Sequence, residues 1–252
     1  MSYCVGILVR QGLVLIADTR TNAGLDNIAT FRKLHCFETP GERVIALGTS
    51  GNLAAGQAVV SLLTEGLEDS ESGQTLTLWN VDSLFHAAQL AGRAVREVYQ
   101  VDGTALENRG SRFDVTLLLG GQIAGGRLRL FMIYSAGNFI EATPDTPYLQ
   151  IGEHKYGKPI LDRAVDDETD LYDALKLGLI SMDSTMRSNL SVGMPLDLLV
   201  CRRDALRAEL VHRVEETDGY FSMLRERWSE ALQAAHRDIP PPPYTQPDKP
   251  ES

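Results

Sequence analysis

The sequence predicts an α+β fold in which antiparallel sheets are sandwiched between helical layers, and three observations carry that expectation. Candidate elements come in groups: strands then two helices, strands then two helices, strands and a last helix. A doubly wound parallel sheet would alternate strand and helix instead. The strand candidates are short apolar runs joined by tight polar turns, which suits antiparallel hairpins. The chain's 252 residues, 43% of them apolar, are enough to bury one large core.

Residues 1–9 (Met-Ser-Tyr-Cys-Val-Gly-Ile-Leu-Val) read as a first strand, and 13–17 (Leu-Val-Leu-Ile-Ala) as its hairpin partner. A polar segment, 18–24, leaves the end of that partner, where side chains can be held rigidly beside open space. Residues 31–37 read as a third strand and 43–47 as a fourth. A turn at 48–52 leads into a helix over 53–64 with Asn52 as its N-cap. Val81, Leu84, Phe85, Ala88, Leu90, Ala91, Val95 and Val98 repeat at spacings of three and four, the stripe of an amphipathic helix starting near Asp82 or Ser83 and ending about 99–103. Strands are expected at 113–121, 128–134 and 139–142. Helices over 155–165 and 171–186 follow, the first tolerating Pro159 in its opening turn. A hairpin of 196–201 with 206–213 and a helix over 220–235 complete the order. Residues 1–238 are expected to form one domain, and 239–252, which holds four successive prolines, a disordered tail. Within that tail Pro241, Pro242, Pro243 and Tyr244 match a proline-tyrosine docking motif, for which a passive tail is the simpler account.

Twenty-four Lys and Arg against 34 Asp and Glu give a formal charge of -10, with no basic stripe, which argues against nucleic acid as a partner. No apolar run approaches the roughly 18 residues of a membrane span. A strand beginning at the second residue leaves no room for a signal peptide, so a cytoplasmic protein is expected. Cys4, Cys36 and Cys201 are odd in number and far apart, as free thiols in a reducing compartment would be. The five histidines share no metal-ligand spacing. The glycine pairs at 120–121 and 125–126 bracket a hairpin rather than a phosphate loop, so neither metal nor other cofactor is expected. Glu153, His154 and Lys155 form a polar cluster that a helix start explains.

The chemistry concentrates at the chain start. On position alone Ser2 is an ordinary residue, but it is small enough for Met1 to be removed, which would leave a hydroxyl and a free α-amine on one residue. An α-amine, with an ordinary pKa of about 7.7–8.0, can serve that hydroxyl as base. Lys33 could favour the developing negative charge, Asp18 could orient the lysine, and Gly48, expected at a strand-to-helix turn, could offer a backbone N–H to an oxyanion. Taken singly, Asp18 and Gly48 are turn residues and Lys33 a solvated charge.

Taken together and in order, residues 2–24, the Lys33 strand and Leu47-Gly48-Thr49-Ser50-Gly51 resemble the opening of proteasome β-type subunits. Met-Ser-Tyr-Cys at the start, with Thr-Asn-Ala-Gly and Phe-Arg-Lys, looks most like the bacterial ancestral β-subunit group of that superfamily. The resemblance implies a four-layer αββα fold of the N-terminal nucleophile hydrolase type and a homo-oligomeric ring. It implies Ser2 as nucleophile, Asp18 and Lys33 as the activating pair, Gly48 at the oxyanion and Ser191 bonded near the amine. Peptide substrate would lie as an added strand against Thr21 and Gly48. Three departures follow from the same comparison. The interval from Asp18 to Lys33 is one residue shorter, which asks for a tighter loop at 25–30. Serine replaces threonine. Where the family has Asp-x-x-Ser-Gly-Gly, this chain has Ser188-Asn189-Leu190-Ser191-Val192-Gly193, so Ser188 supplies no carboxylate. Ser135 is a further candidate for an amine contact.

The function expected is a proteasome-type peptidase subunit. A small-amide hydrolase using the same chemistry and a catalytically weak ring or scaffold protein are the alternatives. Any ATP-driven unfoldase would be a separate chain, because this one has no phosphate loop.

Overall fold

The computed structural model describes residues 2–22, 28–69, 73–108, 110 and 113–244. In chain order the strands are β1 (Tyr3–Val9), β2 (Gly12–Asp18), β3 (Arg20–Asn22), β4 (Ile28–Thr30), β5 (Leu34–Thr39), β6 (Arg43–Gly51), β7 (Leu67–Glu68), β8 (Thr75–Leu76), β9 (Val115–Ile123), β10 (Arg129–Ile133), β11 (Phe139–Glu141), β12 (Tyr148–Gly152), β13 (Leu196–Arg202) and β14 (Leu210–Val214). The helices are α1 (Leu53–Glu65), α2 (Leu84–Val98), α3 (Thr104–Asn108), α4 (Lys158–Ala164), α5 (Leu171–Ser188) and α6 (Gly219–Asp238), with one π-helical turn at Tyr99–Gly103. The chain divides into two compact units, Met1–Glu216 and Thr217–Ser252.

The first unit is a four-layer αββα sandwich. One antiparallel sheet runs β12-β1-β2-β13-β14 and the other β11-β10-β9-β6-β5. β1 and β2 are apolar almost throughout instead of alternating, because both of their faces are covered. Cys4, Leu13, Leu15 and Ala17 pack between the sheets with Val44, Ala46, Leu118 and Leu130. On the opposite face, α5 packs against β1 and β2, and its Gly178 lies against Ile16. Ile45, Leu47, Leu117, Leu119 and Phe131 on the outer face of the second sheet join Val59 and Leu63 of α1 and Ala88, Ala91 and Val95 of α2. Each fully buried Leu or Ile in these layers stabilises the fold by about 2 kcal/mol. In the second unit α6 is capped by Asp218, whose carboxylate accepts the Phe221 N–H at 2.7 Å. Residues 239–244 form neither helix nor strand, and the rest of the expected tail lies outside the described residues.

Several elements differ from the sequence expectation for identifiable reasons. Gly48 is not at a turn: β6 continues to Gly51, and Gly48 sits inside it, in register with Leu34 on one side and Leu118 on the other. The strand expected from Phe31 begins only at Leu34, because a small hairpin, β3 with β4, precedes it. The last hairpin's second strand starts at Leu210, after Asp204 and Leu206 have turned the chain with left-handed backbone (φ 63° and 49°). β12 has no counterpart in the expected order, yet it pairs along β1 from Tyr3↔Gly152 to Ile7↔Tyr148.

Candidate active site

The site is assembled at the start of β1, where three chain segments meet one carboxylate. Asp18 ends β2, opposite Leu196 of β13, and is fully buried. Its Oδ1 accepts both the Tyr3 N–H at 3.0 Å and the Lys33 ammonium at 2.8 Å, and its Oδ2 accepts the Gly193 N–H at 3.3 Å. Burial pushes the Asp18 carboxyl above its ordinary value, and the Lys33 ammonium is the strongest pull the other way.

Lys33 reaches this place through the β3–β4 hairpin. Its neck is closed by the Phe31 N–H donating to Thr19 O at 2.9 Å, and Lys33 O in turn accepts the Thr49 N–H at 2.9 Å, fastening the lysine to β6. The lysine is 3% exposed, and its ammonium also donates to Arg20 O at 2.5 Å. The tighter loop expected over 25–30 thus ends in a described hairpin strand, Ile28–Thr30, while residues 25–27 lie outside the described residues.

Ser2 precedes β1 and is 7% exposed; its carbonyl accepts the Glu153 N–H at 2.7 Å. Tyr3 anchors the strand from below. Its hydroxyl meets Ser181 of α5 at 2.7 Å and accepts from the Gln150 amide, and burial pushes the phenol well up, so that it stays protonated. Gly152 passes so close that a Cβ there would stand 2.0 Å from Ser2 O, and its φ of +80° also favours glycine. A cleft of about 410 Å³ opens on Ser2, Arg20, Thr21 and Lys33 and is walled by residues 49–54 at the end of β6 and the start of α1.

Ser2, Thr21 and Lys33 therefore share the cleft, with Asp18 behind the lysine. Gly48 lies one residue before the cleft-lining Thr49. Ser191 is not part of the lining, and its N–H donates to Asn189 Oδ1 at 2.9 Å. Ser135 belongs to the β10–β11 turn, which is tied to α2 by Arg96 donating to Gly137 O at 3.1 Å, and does not line the cleft. Met1 lies outside the described residues.

The sequence reading missed three participants. Gly193 donates to Asp18 and holds the Arg20 guanidinium against its backbone, where a Cβ would clash at 2.2 Å. Glu153 is buried: Oε1 accepts the Lys155 N–H at 3.1 Å and Oε2 the Asn189 side-chain amide at 3.1 Å. Asn189 is the third, bridging Glu153 to the Ser191 N–H. The polar Glu153-His154-Lys155 cluster was the available signal, but its place beside Ser2 follows from the β1–β12 register. Among the described residues no group of His, Cys, Asp and Glu is gathered to hold a metal ion, and no helix is long and apolar enough to cross a membrane.

Antiparallel sheets between helices, with a buried lysine–aspartate pair beside the first strand, define the proteasome-type class of fold. The Proteasome family, described as proteasome subunit, matches residues 2–201. Solved structures that cover nearly the whole chain include the following three. Anbu (ancestral beta-subunit) from Yersinia bercovieri is 49% identical with a TM-score of 0.87, covering 96% of this chain and 99% of that one. The structure titled helical assembly of the Anbu complex from Pseudomonas aeruginosa is 49% identical with a TM-score of 0.88, covering 97% and 100%. Anbu from Hyphomicrobium sp. strain MC1 is 48% identical with a TM-score of 0.85, covering 95% and 98%. A comparison with curated proteins gives no match. The chain belongs to the proteasome subunit family, within it to the ancestral β-subunit group.

Proposed function

We propose that this chain is a peptidase subunit that cleaves peptide or amide bonds with Ser2, exposed by removal of Met1, within an assembly of identical copies. The observation that carries the reading is the single oxygen, Asp18 Oδ1, that holds both the Lys33 ammonium and the N–H of the residue after Ser2, beside a cleft that Ser2 lines. The freed α-amine takes the hydroxyl proton as Oγ bonds to the substrate carbonyl carbon. The Lys33 ammonium favours the charge that develops, and Asp18 fixes the lysine. Main-chain N–H groups of β6 meet the oxyanion, with Gly48 and the cleft-lining Ser50 and Gly51 as candidates. The amine returns its proton to the leaving nitrogen, and water then hydrolyses the Ser2 ester. An extended peptide alongside Thr21 adds a strand to β3 and the end of β6. Assembly of like copies is supported by the helical assembly named for the Pseudomonas relative.

The test is intact-mass analysis of the native protein before and after exposure to a sulfonyl fluoride. Loss of Met1 and one adduct mapped to Ser2, absent in Ser2→Ala together with amide hydrolysis, is the expected result. Retention of Met1 in protein that still hydrolyses amides would overturn the assignment.

A further inference from the structure

Four carboxylates are buried among the described residues: Asp18, Glu153, Asp183 and Asp197. Asp18 pairs with Lys33 at 2.8 Å, Asp183 with Arg187 at 3.0 Å and Asp197 with Arg213 at 2.7 Å. Glu153 has no such cation among the described residues. Its oxygens accept only the Lys155 N–H and the Asn189 amide, neutral donors that satisfy its geometry without balancing its charge. A buried carboxylate without a counter-charge is costly and is usually found paired. The same residue donates its own N–H to Ser2 O at 2.7 Å, so it stands beside the one place in the chain where processing would create a new cation.

We propose that Glu153 is the counter-charge of the Ser2 α-ammonium and a positioning residue for the proton transfer that the amine carries out. The inference rests on the reading of Ser2 given above. The charged and titratable groups around Ser2 are Asp18 on β2, Lys33 and Arg20 from the two ends of the β3–β4 hairpin, and Glu153 with the exposed His154 from the β12–α4 connection. Lys33 opposes a proton on the amine and Glu153 favours one, so the carboxylate offsets the pull of the lysine. Asn189, bonded to Glu153 through Nδ2 and to the Ser191 N–H through Oδ1, fixes the direction of the carboxylate. Glu153, tied to Ser2 O through its own N–H and to Asn189 through its carboxylate, then stands in for the carboxylate that Ser188 does not supply.

The experiment titrates the amine directly in assembled protein shown by mass to lack Met1. The rate of its carbamylation by cyanate is followed against pH by mass spectrometry, for the native chain, Glu153→Gln and Asn189→Ala. Glu153→Gln is expected to lower the titration midpoint by about one pH unit, and to move the acidic limb of kcat/KM for a peptide amide by the same amount. Asn189→Ala keeps the charge but loosens its aim, and a smaller shift in the same direction is expected. It carries the test if Glu153→Gln does not fold. A packing role alone would lower the rate without moving either titration. A midpoint unchanged in every variant that folds, with hydrolysis intact in the native chain, overturns the pairing and leaves the peptidase reading standing. A shifted midpoint without any hydrolysis supports the pairing and removes the peptidase reading. Native protein that keeps Met1 overturns both.

Discussion

Replacing Lys33 by methionine tests the geometry most directly, because it keeps an unbranched apolar stem of nearly the same reach and removes the ammonium. What stays behind is a carboxylate with no solvent exposure, held by two N–H groups at 3.0 and 3.3 Å. If Asp18 stays ionised, the uncompensated buried charge costs about 3–5 kcal/mol. If it takes up a proton at pH 7, about three pH units above an ordinary aspartate value, the cost is about 4 kcal/mol at ~1.4 kcal/mol per unit. Arg20 O also loses a donor, worth about 1 kcal/mol. Lys33→Met should therefore be less stable at pH 7 by about 4–5 kcal/mol. The sign of the pH dependence is fixed. With its folded-state pKa raised, Asp18 binds its proton more readily folded than unfolded, so the variant's deficit shrinks as pH falls. Near pH 4 only about 1 kcal/mol should be left. Urea unfolding of both proteins at pH 7 and pH 4.5 measures this, at one protein concentration because assembly shifts apparent stability. The double variant Asp18→Asn/Lys33→Met should recover part of the loss, since neither charge is then stranded. Equal urea midpoints at pH 7, or a deficit that grows in acid, would refute the argument.

Other expectations follow from single features. Gly152→Ala forces a Cβ to within 2.0 Å of Ser2 O at a positive φ, and thermal melting should show a loss of at least about 2 kcal/mol, larger than alanine causes at exposed, unstrained glycines. Burial pushes the Cys36 thiol up to about 11 and Cys201 to about 12, and raises Cys4 further still. A chromogenic disulfide reagent at pH 8 should accordingly find no rapidly reacting thiol in the folded protein and three in denaturant. Arg129 donates twice to Glu141, at 2.8 and 2.6 Å, and its hydrogen bond is the main reason the Glu141 carboxyl sits below its ordinary value. That depressed pKa makes the contribution full above about pH 4.5 and lost as pH falls, so Arg129→Met should cost about 1 kcal/mol at pH 7 and nothing near pH 3 by urea unfolding.

The features that local chemistry determines were the ones legible in the sequence. Asn52 caps α1 through the Ala55 N–H at 3.1 Å and Ser83 caps α2 through the His86 N–H at 3.1 Å, as their positions before apolar stripes suggested. The β1–β2 hairpin was readable because two apolar runs flank a short turn closed by the Val9↔Gly12 pair. Asp18 and Lys33 could be singled out by their order after Ser2, but nothing near Lys33 indicates that the lysine is buried; that depends on the hairpin closed by Thr19 and Phe31. β12 is five residues between turns, too short for its periodicity to stand out. Glu153 inherits that obscurity, since only the pairing of β12 with β1 brings it to Ser2. Gly48 was misplaced because Gly-Thr-Ser-Gly-Asn looks like a turn, whereas β9 pairs with β6 as far as Gly51 and keeps it extended.

β1 lies between β12 and β2, paired with β12 from Tyr3 onward and with β2 from Cys4 onward. The front of the polypeptide is thus woven into the sheet, and any peptide fused ahead of Ser2 would crowd the cavity that the serine faces. Affinity handles for isolating the protein accordingly belong at the opposite end, behind the prolines. A leading handle would also hold the Ser2 nitrogen in a peptide bond, so such a preparation could not test the role proposed for a free α-amine.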